Sequence, residues 1–242
     1  MNTIDLPLAI LLATFCSQTY GLLDGSDPDL PDGYRLVACF TAKAFGGAKE
    51  RFGYVAESAD RIVIAFRGTD SKADWVSDAV ARQIDYKFAP LAGQTHCGFT
   101  RIYSSARKQI LAILKSLSPA KKLAITGHSL GGALATLCAA DKAVYSRIQS
   151  PETYTFGSPR VGDPTFASVF NRRPVVSWRV YNMFDLVPLV PPRIFKSPIN
   201  GCVYYYMHVQ TGYPLRFRKG SASDNHAISN YIDALKSIST NQ

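Results

Sequence analysis

Gly127-His128-Ser129-Leu130-Gly131 (GHSLG) decides how this 242-residue chain is read. It stands between an apolar run, Lys122 to Thr126 (KLAIT), and an alanine- and leucine-rich run, Gly132 to Ala143 (GALATLCAADKA). The first suits a strand buried in a parallel sheet, and the second suits a helix that packs on that sheet through small residues. A GxSxG pattern at a strand-to-helix turn holds a serine on a tight elbow and presents its hydroxyl. The glycines are needed because a Cβ at either position would collide with the neighbouring strand or helix. The bare pattern also fits an ordinary glycine-rich turn, so a nucleophile at Ser129 needs partners elsewhere in the chain.

A serine hydroxyl is barely nucleophilic near neutral pH. It requires a base, and the base requires an orienting group. Four histidines are available. The side chain of His128 leaves the elbow in another direction and reads as packing; His96 falls at a loop-to-helix junction; His208 alternates within a tyrosine-rich strand and reads as structural. His226, in a polar turn that opens the last helix, is the one that fits the chain order Ser, Asp/Glu, His. Asp185 follows the nucleophile at the end of a strand, where parallel sheets place their functional loops. Asp163 precedes a proline and suits a turn cap, Asp141 falls mid-helix, and Asp224 is too close to His226 in sequence. For the oxyanion, the Leu130 N–H is one donor by geometry. Thr69, freed by Gly68 after an early strand, is the candidate second donor, with a helix N-cap at Thr69 or Asp70 as the structural alternative.

Working outward, Leu6 to Phe15 predicts a first helix. A secretion signal is disfavoured there by Asp5, the lack of Lys or Arg, and the lack of a clear cleavage site. Asp24 to Gly33 is a turn-rich connector. Tyr34 to Phe40 and Phe52 to Glu57 predict an antiparallel strand pair, and Arg61 to Phe66 a strand buried on both faces. Ser71 to Val80 suits a short helix, Asp85 to Gly98 is irregular, and Phe99 to Leu117 has the spacing of a long amphipathic helix. Strands follow at Thr153 to Phe156 and Val175 to Tyr181. Prolines at 188, 191, 192 and 198 predict a loop without regular structure from Leu186 to Asn200. Val203 to Val209 and Pro214 to Arg218 read as terminal strands, and Ala227 to Ile238 as the final helix.

The length fits one large α/β domain over 1–242. The composition, 47% hydrophobic and 19% charged, is that of an ordinary globular protein, and no apolar run reaches the length of a membrane span. Five cysteines lack metal-type spacing, and their odd count leaves at least one unpaired. Cys16 and Cys138 read as core residues, which favours a reducing, cytoplasmic setting over secretion. No metal or organic cofactor is implied. The formal charge of +9 is spread along the chain without a nucleic-acid reader motif. It reads as a solvated basic surface, with transient contact with an anionic lipid–water interface as the sharper alternative. The sequence carries no signature of oligomeric state.

The stretches AFRGTDSKADWVSD, THCGF, ITGHSLGGALATLCA, TFGSPRVGDPTFA, YNMFDLVPLVPP and DNHAISNY, in this order, resemble the class 3 (fungal-type) triacylglycerol lipases of the α/β-hydrolase superfamily. The resemblance implies an α/β fold with a central, mostly parallel twisted sheet, helices on both faces and a short lid helix at about 70–80. It implies a triad of Ser129, Asp185 and His226, an oxyanion hole of Thr69 and Leu130, and a lipid or other ester as substrate. Trp75 would be an apolar lid contact, Asp78 a partner of the Thr69 hydroxyl, and Leu186 to Val190 (Val187, Leu189 and Val190 among them) the lining of an acyl cleft. For that last stretch, packing against the sheet is the alternative. Lys72, Asp74 and Asp78 make this a more polar lid than a strongly hydrophobic one. Phospholipases A1 and feruloyl-type esterases share the pattern. A reading of a different class is a non-catalytic interaction module on a hydrolase fold.

Overall fold

A computed structural model of the chain describes residues 3–44, 47, 49–69, 81–145, 151–173, 176–209 and 212–240. Helix α1 (Leu6–Gln18) starts where the Asp5 carboxylate accepts from the Leu8 N–H at 2.9 Å and Pro7 sits in the first turn. A 3-10 turn, Tyr20–Asp24, continues it. The expectation that no apolar run reaches membrane-span length is corrected here. Leu6–Asp24 is long and apolar enough to cross a membrane by length and composition, though half of its most apolar window is buried inside the protein. The face carrying Leu8, Leu12, Phe15 and Cys16 packs into one of the two core clusters.

Strands β1 (Arg35–Lys43) and β2 (Lys49–Glu57) form the expected antiparallel pair, and β3 (Arg61–Phe66), the expected doubly buried strand, joins β2 antiparallel as well. Two short strands pair here, β4 (Gln83–Asp85), which ends where the expected irregular stretch starts, and β5 (Gln94–His96), which lies inside it. They lead into α2 (Cys97–Lys115), β6 (Lys122–His128), α3 (Leu130–Ala140) and α4 (Lys142–Tyr145). Then come β7 (Glu152–Phe156), α5 (Pro164–Asn171) and β8 (Ser177–Asn182). The proline-rich stretch is more ordered than expected, because the 3-10 turn at Val187–Leu189 takes Pro188 near its start, where no N–H is needed, and strand β9 (Ile194–Lys196) fits between Pro192 and Pro198. The expected Val203 to Val209 strand shortens to β10 (Val203–Tyr205), paired with β9 outside the main sheet. β11 (Gly212–Leu215), α6 (Ala222–His226) and α7 (Ile228–Ser239) complete the chain.

The main sheet has seven strands in the order β1-β2-β3-β6-β7-β8-β11, parallel from β3 onward. Alternation along each strand divides the core. Ile62, Ile64 and Phe66 of β3 and Leu123 and Ile125 of β6 face the cluster that holds α2, α3 and α5. Val63, Ala65 and Ala124 face the cluster that holds α1 and α7. Helices therefore cover both faces, and each fully buried Leu, Ile or Phe contributes about 1.5–3 kcal/mol.

Asp141 does not lie mid-helix. It caps the C-terminus of α3 in an extended conformation, fully buried, where its carboxylate accepts from the Tyr103 hydroxyl at 2.8 Å, twice from Arg107, and from the Ala143 N–H at 2.9 Å. Asp163 caps a helix that the sequence reading left out; its carboxylate accepts from the Phe166 N–H at 2.7 Å. The five cysteines are all free thiols, with Cys16 and Cys138 buried in the core as expected. Burial pushes the Cys16 thiol up to about 12 despite its hydrogen bond with the Thr126 hydroxyl, so it stays protonated.

Candidate active site

Ser129 is the hinge between β6 and α3, and its φ of 58° puts a non-glycine residue in positive-φ space. Such strain persists only where surrounding structure enforces it. Here the enforcement is the close approach of strand and helix. A Cβ on Gly127 would sit 2.1 Å from the Gly131 carbonyl oxygen, and one on Gly131 would sit 2.2 Å from the Phe66 carbonyl oxygen. The Ser129 N–H donates to the Phe156 carbonyl at 3.0 Å, which ties the elbow to the end of β7. Leu130 is the first residue of α3, so its N–H has no intrahelical partner and lies at the positive end of the helix dipole.

His226 and Asp185 come together from the far end of the chain. His226 is the last residue of α6, and Asp185 follows β8 by three positions. The His226 Nδ1 lies 2.6 Å from Asp185 Oδ2, with both side chains almost fully buried. An ionised carboxylate accepts only, so Nδ1 donates and Nε2 carries the lone pair. That Nε2 is buried and makes no hydrogen bond among the described residues, Ser129 Oγ included. Asp185 is held from its other sides: Tyr231 donates its hydroxyl to Oδ2 at 2.7 Å, and the Val187 N–H donates to Oδ1 at 2.9 Å. Burial and the Asp185 charge raise the Tyr231 phenol well above its usual range, so it remains a donor.

The turn after β7 joins the two halves. A Cβ on Gly157 would lie 2.9 Å from Asp185 Oδ2 and 3.0 Å from two atoms of the His226 ring, while the preceding carbonyl holds the Ser129 N–H. The His128 and His226 rings are 4.4 Å apart between centroids. His128 does more than fill space, because its Nδ1 lies 2.6 Å from the Tyr20 hydroxyl and its Nε2 2.7 Å from the His226 carbonyl oxygen.

The other histidines have structural partners. His96 caps α2 through a 3.3 Å bond from the Phe99 N–H, stacks on the Phe99 ring, and is driven by burial down to a pKa of about 3. The His208 Nε2 lies 2.7 Å from the Pro188 carbonyl oxygen, and burial followed by the Arg179 charge brings it to about 3 as well. Both are committed to these contacts and, among the described residues, neither bonds a carboxylate, although the His96 Nε2, like that of His226, is buried there without a hydrogen-bond partner. Thr69 lies beside the elbow, since a Cβ on the adjacent Gly68 would be 3.1 Å from the His128 carbonyl oxygen. Trp75 and Asp78, with the expected lid segment at about 70–80, lie outside the described residues. In the candidate acyl stretch Val187 is buried in the core and Val190 packs against it, whereas Leu189 and Leu186 are 57% and 60% exposed.

Sequence reasoning gave no part to Tyr231 or Arg160. Arg160 is buried and reaches through one guanidinium nitrogen to the carbonyls of Leu189 and of Pro191, the latter at 2.7 Å, strapping the loop that carries Asp185. Both lie inside stretches that carry the family resemblance, TFGSPRVGDPTFA and DNHAISNY, and that was the only signal for them. No group of three or more His, Cys, Asp or Glu side chains that could hold a metal ion occurs among the described residues.

Residues 63–195 match the family model for Lipase (class 3). A Rhizomucor miehei lipase is 37% identical over 148 residues, covering 57% of this chain and 40% of its own length. A rice phospholipase, phospholipase A1-II 3 from Oryza sativa subsp. indica, is 35% identical over 212 residues, covering 71% of this chain and 50% of its own. This chain thus spans about half or less of those relatives' lengths. Among solved structures, a triacylglycerol lipase whose catalytic centre is described as a serine protease triad superposes with a TM-score of 0.71 at 25% identity, covering 89% of this chain and 82% of that one. With a sheet parallel from β3 onward, a strained serine elbow between β6 and α3 and the family match, the chain belongs to the class 3 lipases and has the α/β-hydrolase fold.

Proposed function

We propose that this chain, as one hydrolase domain over 1–242, cleaves carboxylic esters of lipids by acyl transfer through Ser129. The observation that carries the reading is the buried Asp185–His226 pair with its unpartnered Nε2, packed against the Gly157 turn whose preceding carbonyl holds the strained Ser129 elbow. As substrate enters, His226 Nε2 takes the Ser129 proton while Oγ attacks the ester carbonyl, and the carbonyl oxygen becomes the oxyanion. The N–H groups of Leu130 and Thr69 would stabilise it. Collapse expels the alcohol, which leaves with the proton from His226. Water, deprotonated by the same imidazole, then opens the acyl-enzyme and restores Ser129. Asp185 holds the ring and balances its charge. Hydrogen bonds of this kind commonly tighten only once substrate is bound. Trp75 and Asp78 are assigned to a lid, and Leu189 to contact with the acyl chain, backed by Val187 and Val190.

The phospholipase A1 relative supports a second reading, in which the scissile ester is the one at the first position of a phospholipid. Assay of the chain on triolein, phosphatidylcholine, methyl ferulate and a p-nitrophenyl ester separates these. Hydrolysis of triolein or phosphatidylcholine, absent in Ser129→Ala, supports the lipid reading. Turnover of methyl ferulate alone would replace it with a feruloyl esterase, and no turnover of any substrate would reject it.

A further inference from the structure

Away from the Ser129 elbow, a groove of about 840 Å³ runs between α2 and the tip of the β1–β2 hairpin and is closed on a third side by the segment from β4 onward. Its lining includes Lys43, Lys49, Lys87, Arg101 and Lys108 against one carboxylate, Asp85. That carboxylate already accepts from Gln94 at 3.0 Å. None of the five cations makes an ion pair among the described residues, whereas Arg35, Arg51, Arg61, Arg67, Arg107 and Lys121 all do.

All five cations are exposed, and their mutual repulsion, screened in part by water, favours a bound counterion. Lys43 and Lys49 stand directly opposite each other at the end of the antiparallel ladder, where like charges repel. Arg101 and Lys108 are seven residues apart and share a face of α2. Arg101 lies just past the first turn of that helix, which contains no acidic residue. The arrangement is also built: the Ser105 hydroxyl accepts from the Lys43 N–H at 2.8 Å, and Gln109 bonds to Thr41 from both ends of its amide, fixing hairpin to helix. Walls of low polarizability around such a groove focus its positive field.

The groove lies at the serine's end of the sheet. Gly53 of β2 pairs with Phe66 at the end of β3, Phe66 pairs with Gly127 of the elbow, and Lys49 extends β2 past that level. We infer that this groove is a recognition site for a phosphate group, carried by an anionic lipid headgroup or free in solution, that acts beside the ester-cleaving site. The lipid half rests on the ester-hydrolase reading, so the test keeps the two apart.

The full chain is partitioned onto vesicles of ether-linked phosphatidylcholine, with and without ether-linked phosphatidylglycerol, which cannot be hydrolysed as esters. Lys49→Glu with Lys108→Glu is compared with Arg216→Glu with Lys219→Glu, an equal charge change at two exposed residues elsewhere. The first pair should lower binding to the anionic vesicles by at least about tenfold and the second by much less. Equal loss in both, or loss in neither, overturns the site. If the reversal disturbs folding, Lys43→Gln with Arg101→Gln should give a smaller drop in the same direction, and no drop overturns it. Calorimetry with inorganic phosphate separates the sources. Heat that vanishes in Lys49→Glu with Lys108→Glu assigns free phosphate, and vesicle binding without such heat assigns the headgroup. All these variants should hydrolyse a soluble p-nitrophenyl ester at the parent rate; a parent chain without that activity would sink the Ser129 mechanism and leave the vesicle comparison standing.

Discussion

The Nε2 of His128 lies 2.7 Å from the carbonyl oxygen of His226, so the residue before the candidate nucleophile grips the backbone of the candidate base. A carbonyl only accepts, so Nε2 is the donor. In the neutral ring Nδ1 is then left to accept from the Tyr20 hydroxyl at 2.6 Å. Replacing His128 by Phe keeps an aromatic ring but leaves a buried carbonyl without its donor. The expected cost is about 1–3 kcal/mol of stability, and kcat on a p-nitrophenyl ester should fall roughly tenfold, since a slightly misplaced base loses proton-transfer efficiency. An unchanged kcat in a destabilised variant would reduce His128 to packing.

Tyr231 touches the same centre from below. Its hydroxyl donates to Asp185 Oδ2 at 2.7 Å and accepts from the Asn182 N–H at 2.9 Å. Tyr231→Phe should therefore strand one buried N–H and free one side of the carboxylate. We expect about 1–3 kcal/mol of lost stability and a fall in kcat with KM nearly unchanged. A change confined to KM would contradict a role in holding Asp185.

Acid stability should depend on the two histidines that sit outside the mechanism. The folded-state values of His96 and His208 are both about 3, burial being the first cause of each, against roughly 6.5 in an unfolded chain. The unfolded chain then binds more protons between those values. The stability due to their neutral forms is complete above pH ~6.5 and is lost as pH falls toward 3. The slope is about 1.4 kcal/mol per pH unit for each group once the unfolded chain is fully protonated there. Denaturant midpoints between pH 6.5 and 5 should fall less steeply in His208→Gln, which can still donate to the Pro188 carbonyl, and in His96→Asn, which can still cap α2. Parallel slopes in parent and variants would remove the histidines from the acid limb.

The Asp141 carboxylate is fully buried and accepts from the Tyr103 hydroxyl, from two nitrogens of Arg107 and from the Ala143 N–H. Asp141→Ala leaves Arg107, about a quarter exposed, without its partner and should cost about 3–5 kcal/mol. Chemical denaturation reads this directly. The activity of the fraction that remains folded should be that of the parent, because none of these groups touches the Ser129 region.

The parts legible in the sequence are those set by local constraint. The short apolar runs of β3 and β6, bounded by turn residues, suit buried strands, and Gly127 and Gly131 mark an elbow where strand and helix touch. Asp185 and His226 could be chosen from chain order and element ends, and the structure places them 2.6 Å apart. Less legible was whatever depends on a distant partner. Asp141 reads as mid-helix because its neighbours are helix formers, and the Arg107 that draws it into a cap is 34 residues away. β9 is three residues between prolines, too short for a period to show. Tyr231 resembles any core aromatic until the carboxylate beside its hydroxyl is seen. The start of α5 is ambiguous in sequence, since an aspartate followed by proline is an N-cap signature as well as a turn.

Intact-protein mass spectrometry after exposure to a p-nitrophenyl alkylphosphonate tests the centre of the account most directly. One phosphonyl group should add to the parent chain, map to Ser129 by peptide sequencing, and be absent from Ser129→Ala and much slowed in His226→Ala. Labelling that survives Ser129→Ala, or that proceeds at the parent rate without the imidazole, would contradict it.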